Sequence, residues 1–154
     1  MSVDWAGVTQ RVVLEACAPA PQDVVHYCGD DATAVLLAER VRRLERRPDL
    51  RDPPAGVSIV CLHGWLRHRS RDAQRQAVLD AARLLPPRGV LVVGDVMWSL
   101  PYDQVDEPEQ YGEDVARAPT TAVLEGWARE AGLLPDLHRF GVGVGVLVAI
   151  KGER

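Results

Sequence analysis

Three short stretches hold the side chains with chemistry to offer: His26-Tyr-Cys-Gly-Asp30, His63-Gly-Trp-Leu-Arg-His68, and Asp95 with Trp98 and Tyr102. An imidazole titrates close to neutrality, so His26 and His63 are the candidate general bases. Tyr27, Cys28, Gly29, Asp30, His63, Gly64 and Trp65 are candidates for holding a cofactor. Asp95, Trp98 and Tyr102 are candidates for a substrate or partner surface, because Trp and Tyr combine apolar area with a polar handle. Each group also has a plainer reading. The first is a tight strand-to-helix turn capped by Asp31, with Cys28 a small buried thiol. His63 and His68 read equally as ordinary surface residues, and Trp65 as a seal over the core. No complete acid–base set emerges.

These residues are placed by a simple alternation of elements. Residues 5–18 form a helix with Val8, Val12, Val13 and Ala16 near helical spacing, ended by Pro19 and Pro21. Asp23-Val-Val-His-Tyr27 is a strand that delivers the first stretch to its carboxyl end. A helix over residues 32–47 carries the stripe Ala34, Leu37, Ala38, Val41 and Leu44, with Arg40, Arg43 and Arg47 on a solvated face. After a proline-rich break at residues 48–56, Val57-Ser-Ile-Val-Cys-Leu62 reads as a strand covered on both faces, and it ends at His63. A helix over residues 71–85 and a buried strand over residues 90–96 lead to Asp95. The long acidic stretch that follows is either a lid or a solvated loop. A helix capped at Thr120 or Thr121 and stopped at Gly132 precedes two strands around Gly141. The glycines 141, 143 and 145 precede a strand rather than a helix, so they are not a phosphate cradle. The expected architecture is α/β with a mainly parallel sheet and a terminal antiparallel hairpin.

The bulk numbers bound the function. A chain of 154 residues with 47% hydrophobic and 26% charged residues suits one globular domain spanning residues 1–154. No apolar run reaches membrane-spanning length, and no signal peptide is visible. The formal charge of −4 argues against a general nucleic-acid binder. Cys17, Cys28 and Cys61 are odd in number with no C-x-x-C pair, so neither a disulfide framework nor a metal site is expected, and the cytoplasm is the default compartment.

The order of these elements resembles the class I S-adenosylmethionine (SAM) methyltransferases. Val24-Val-His-Tyr-Cys-Gly-Asp-Asp31 is similar to that family's first strand and glycine turn. Ala81-Ala-Arg-Leu-Leu-Pro-Pro-Arg-Gly-Val-Leu-Val-Val-Gly-Asp95 resembles its helix, turn and strand further on, and Ala128-Arg-Glu-Ala-Gly-Leu with Val146-Leu-Val-Ala-Ile-Lys151 its closing elements. The resemblance implies a three-layer Rossmann-like fold and a SAM site at Tyr27, Cys28, Gly29, Asp30, His63, Gly64 and Trp65. Two departures stand out. Only Gly29 remains of the family's glycine turn, followed by Asp30 and Asp31, whose side chains occupy space that glycine leaves open. The family's next strand, helix and strand have too few residues here, since residues 48–56 take their place. No acid stands where the family holds the ribose hydroxyls. The expected sheet therefore has about five strands, with Asp23-Val-Val-His-Tyr27 at an open edge that invites pairing with another copy or a methyltransferase-like partner.

Three functions follow as expectations. The chain is an accessory or ligand-binding subunit on a methyltransferase fold. Alternatively it is a small SAM-dependent methyltransferase, a reaction that needs mostly positioning of donor and acceptor. A third course is a repurposed enzyme, such as a cyclase or isomerase using His63 or His26.

Overall fold

The computed structural model describes residues 2–17 and 23–153; the expected stop at Pro19 and Pro21 lies outside them. Helix α1 (Trp5–Cys17) precedes β1 (Val24–Cys28), α2 (Asp31–Ala38) and β2 (Arg43–Arg46). Then come β3 (Ile59–His63), α3 (Arg71–Leu84), β4 (Val90–Val96), α4 (Thr121–Glu130), β5 (Leu133–Arg139) and β6 (Val144–Lys151). The six strands form one sheet in the order β2-β1-β3-β4-β6-β5. Pairing is parallel from β2 through β4, and β6 is antiparallel to both β4 and β5.

Alternation along the strands builds two cores. Val60, Leu62, Leu91, Val93, Leu147 and Ala149 face α3 and α4, where Val78, Ala81, Leu124 and Ala128 are buried. Val25, Tyr27, Ile59, Cys61, Val92 and Val146 face α1 and α2, where Val13, Leu14 and Leu37 are buried. The result is helix, sheet, helix: a three-layer Rossmann-like α/β fold. Caps fix the helix starts. Asp30, Ser70 and Thr120 each accept a hydrogen bond from the backbone N–H three residues on.

The region between β1 and β3 corrects the reading of residues 32–47. The helix stops at Ala38, and Arg43–Arg46 is a sixth strand, paired in parallel with β1. Arg42 N–H donates to Asp23 O at 3.1 Å and Arg47 N–H to Tyr27 O at 2.8 Å, extending the ladder at both ends. Val41 and Leu44 are three apart, a spacing equally compatible with helix; here both pack into the α1–α2 core instead. Satisfying the backbone groups of β1 outweighs continued helix. β1 is thus interior, and the expected open edge at Asp23-Val-Val-His-Tyr27 is closed. The edge on this side of the sheet belongs to β2, whose Arg-Leu-Glu-Arg sequence is charged as exposed edges tend to be; β5 forms the other edge.

Of the expected missing elements, the first strand is therefore retained, and residues 47–58 replace only what would follow it. This loop covers β1 directly. Asp49 O accepts from His26 Nε2 at 2.7 Å, and Leu50 packs against the α3–α4 core.

Candidate functional site

At the carboxyl ends of β1 and β3 four polar side chains lock together. Asp30 ends the β1 turn, His63 ends β3, Tyr27 rises from β1 and Thr9 reaches down from α1. His63 Nδ1 lies 2.9 Å from Asp30 Oδ1, and Tyr27 Oη donates to the same oxygen at 2.9 Å. Thr9 Oγ1 lies 2.7 Å from His63 Nε2. Asp30 Oδ2 accepts from Thr33 N–H at 2.9 Å. A carboxylate only accepts, so a proton sits on His63 Nδ1; at Nε2 the single Thr9 hydroxyl proton is shared between the imidazole and Trp5 O, 2.9 Å away. Burial lowers the His63 pKa, opposed by the Asp30 charge, and the imidazole is neutral near pH 7. Burial alone would raise Asp30, but the hydrogen bonds from Thr33 and Tyr27 hold it below the ordinary carboxylate value.

This arrangement positions the chain rather than offering a base. His63 is 3% exposed and both its ring nitrogens are taken by protein. Gly29 is fitted to the network, since a Cβ there would lie 2.6 Å from Tyr27 Oη and 2.9 Å from His63 O. Gly64 has φ +68° and lies under the Trp5 ring. Trp5 in turn meets His63 edge-on, with centroids 5.7 Å apart, and carries the Arg67 guanidinium 4.2 Å from its ring centroid.

Above the network is a cavity of about 590 Å³, within the range of small-molecule sites. It is lined by Gly29, Asp30, His63, Gly64 and Trp65, five of the seven residues expected to hold a cofactor, and also by Trp5, Arg46, Arg47, His68 and Arg69. Arg46, from the last position of β2, donates through Nε to Gly29 O at 2.9 Å and pairs with Asp31. Arg47 pairs with Glu45 at 3.0 Å. Arg69 stacks its guanidinium 3.3 Å from the Trp65 ring centroid and donates to Trp65 O at 2.7 Å. It has no carboxylate partner among the described residues, and burial lowers its pKa.

The other expected site residues lie elsewhere. Tyr27 and Cys28 are buried beneath the cavity rather than lining it, and burial pushes the Cys28 thiol up to about 12. His26 is fully buried on the opposite face of β1; burial lowers its pKa against the opposing hydrogen bond with Asp49 O. Asp95 and Trp98 do not form an open rim. Asp95 is 1% exposed and paired with Arg67 at 3.2 Å, and Trp98 is fully buried with its Nε1 donating to Val115 O. Tyr102 remains exposed, against Trp98. The acidic stretch is folded onto this cluster, with Tyr111 edge-on to Trp98 and Asp114 paired with His68 at 3.0 Å. Sequence reasoning missed Trp5 and the arginines of the cavity. The signal for Arg46 and Arg47 lay in the strand they end, hidden inside an apparent helix.

The sheet order and the site at the strand ends define a class I methyltransferase-like fold. Solved structures share it. An O-methyltransferase family protein from Burkholderia thailandensis superposes with a TM-score of 0.71 at 18% identity, over 96% of this chain and 56% of that one. The 1,6-didemethyltoxoflavin-N1-methyltransferase of the same organism, solved with S-adenosylhomocysteine, gives 0.68 at 17% identity over 97% and 79%. The [4+2]-cyclase SpnF gives 0.63 at 13% identity over 94% and 81%. The chain thus spans little more than half the length of the O-methyltransferase. No family model matches the sequence, and no curated protein does.

The residues present do not fit SAM. Its sulfonium and ammonium outnumber its one carboxylate, so it carries net positive charge. At the carboxyl end of β2, where the resemblance places an acid for the ribose hydroxyls, the strand does carry one, Glu45, contrary to the expectation that none stands there. Glu45 is paired with Arg43 and Arg47 and does not line the cavity, which Arg46 and Arg47 line instead. The one carboxylate lining the cavity, Asp30, is already engaged by Tyr27, His63 and Thr33.

Proposed function

We propose that this chain is a methyltransferase-fold subunit that is not self-sufficient for SAM chemistry and serves as an accessory or ligand-binding component. The observation that carries this reading is the charge at the end of β2: its acid, Glu45, is held by Arg43 and Arg47, and the cavity wall there is made by the guanidinium groups of Arg46 and Arg47 instead. It pairs with a second copy or with a fuller methyltransferase-like chain. The open β2 edge replaces β1 as the pairing surface, and its charges favour a partner that presents complementary ones. Three free, buried thiols support a cytoplasmic setting. Among the described residues no helix is long and apolar enough to cross a membrane.

Calorimetric titration with SAM and S-adenosylhomocysteine, with and without a candidate partner, tests this. The expected result is no binding by the isolated chain. One-to-one micromolar binding by the chain alone would support instead a small SAM-dependent methyltransferase, which the likeness to the N1-methyltransferase favours. The likeness to the [4+2]-cyclase SpnF bears on a third course, a repurposed non-methylating enzyme such as a cyclase or isomerase, and turnover of a small substrate without SAM would support it.

A further inference from the structure

We propose that the cavity at the ends of β1, β2 and β3 is a phosphate site, taking a small phosphate-bearing molecule through Arg46, Arg47 and Arg69. This deepens the reading above and rests on its view of the chain as a ligand-binding component.

The chain as a whole is acidic, with a formal charge of −4. The cavity wall carries Arg46, Arg47 and Arg69 against the carboxylate of Asp30; Arg46 and Arg47 are paired with Asp31 and Glu45, and Arg69 has no carboxylate partner among the described residues. Asp30 lines the cavity too, with its carboxylate held by Tyr27, His63 and Thr33. The guanidinium groups keep donors to spare. Arg69 uses only Nη1, on Trp65 O, leaving Nε and Nη2 without protein acceptors among the described residues. Arg46 spends Nε on Gly29 O and Nη1 on Asp31, and its Nη2 makes no bond among the described residues. Arg47 spends Nε on Asp52 O and Nη1 on Glu45 and Arg46 O, again leaving Nη2.

Two of these arginines are also held in place. Stacking on Trp65 fixes the plane of Arg69, and Trp65 is itself anchored by Nε1 donating to Pro48 O at 2.8 Å. Arg46 is tied to the β1 turn through Gly29 O. A planar fork held in advance loses little entropy on closing over an oxyanion, and arginine forks match phosphate oxygens in pairs. The remaining wall is apolar and aromatic, with Trp5, Ala6 and Pro48, which leaves room beside the phosphate for a compact organic part.

The test is calorimetric titration of the full chain at low salt with pyrophosphate, inorganic phosphate and ADP, with adenosine as the uncharged control. Pyrophosphate and ADP are expected to bind at one site and adenosine not to bind. Binding of ADP well above that of pyrophosphate assigns a nucleotide, and equal binding assigns the phosphate group alone. Arg69→Gln is expected to weaken both at least about tenfold, with Arg69→Lys intermediate, since Lys keeps charge but not the fork. Arg129→Gln, on exposed α4, is expected to leave affinity unchanged. An unchanged melting temperature shows that Arg69→Gln still folds; should it not, Arg47→Gln provides the same reading. Absence of heat with pyrophosphate and ADP overturns the proposal, as does equal loss in Arg129→Gln, which would mark a diffuse charge effect. The two readings fail separately. Phosphate binding displaced by SAM leaves this inference and removes the preceding one; no binding of either removes only this inference.

Discussion

Replacing Asp30 by alanine probes the network that closes the β1 turn. Three donors converge on this carboxylate: Thr33 N–H, Tyr27 Oη and His63 Nδ1. Loss of the helix cap costs about 1 kcal/mol. Tyr27 Oη and His63 Nδ1 lie 3.2 Å apart, so the imidazole N–H turns to the phenol oxygen and only the phenol O–H is stranded. A stranded buried donor costs about 1–3 kcal/mol. The Asp30 side chain is 43% exposed, so water reaches part of the vacated space and the total falls near the lower end, about 2 kcal/mol. An asparagine side chain supplies one acceptor oxygen where the carboxylate supplies two. Asp30→Asn is therefore expected to keep either the cap or the Tyr27–His63 contacts and to lose about half as much. Urea unfolding at pH 7.5, followed by circular dichroism, reads both variants as midpoint shifts at constant slope, near 1 M for Asp30→Ala. A shift for Asp30→Ala under about 0.5 kcal/mol, or equal shifts for the two variants, refutes the hydrogen-bond assignment.

Three further outcomes are expected. Stability falls as pH drops below about 6.5, because burial holds the His26 and His63 pKa values below their unfolded value, so the unfolded state takes up protons first. Each histidine contributes at most about 1.4 kcal/mol per pH unit, and a flat melting temperature between pH 7 and pH 5 would contradict this. Asp95→Ala leaves Arg67 buried without its partner and is expected to cost about 3–5 kcal/mol by denaturant unfolding, whereas a loss under about 1 kcal/mol would show the pair is solvated. Cys17, Cys28 and Cys61 are expected to resist a thiol reagent until the chain unfolds, since all are buried and Cys28 is pushed up to about 12; rapid native labelling would place one of them at the surface.

Much of the fold was legible because burial patterns specify it. Val-Ser-Ile-Val-Cys-Leu and Val-Leu-Val-Val-Gly-Asp-Val are apolar on both faces and became β3 and β4, the centre of the sheet. β2 was not legible. Arg-Leu-Glu-Arg has the composition of a solvated helix and becomes a strand only because β1 offers it a row of backbone partners. That long-range pairing is invisible to local periodicity. The site divides the same way. Gly29, Asp30, His63, Gly64 and Trp65 were found because strand ends before turns gather at one rim. Arg46 and Arg47 were lost with β2, and Trp5 arrives from α1, far away in sequence. Asp95 and Trp98 were expected at an open rim. Burial decided otherwise, because Arg67 neutralises the one and Val115 O satisfies the other.

If the arginines ending β2 have removed the fold's cofactor from this chain, the isolated protein does not bind SAM. Calorimetric titration of SAM into the isolated protein tests this most directly. The expected result is no saturable binding up to about 1 mM, the affinity expected of weak nonspecific contact. One-to-one binding in the micromolar range would contradict it.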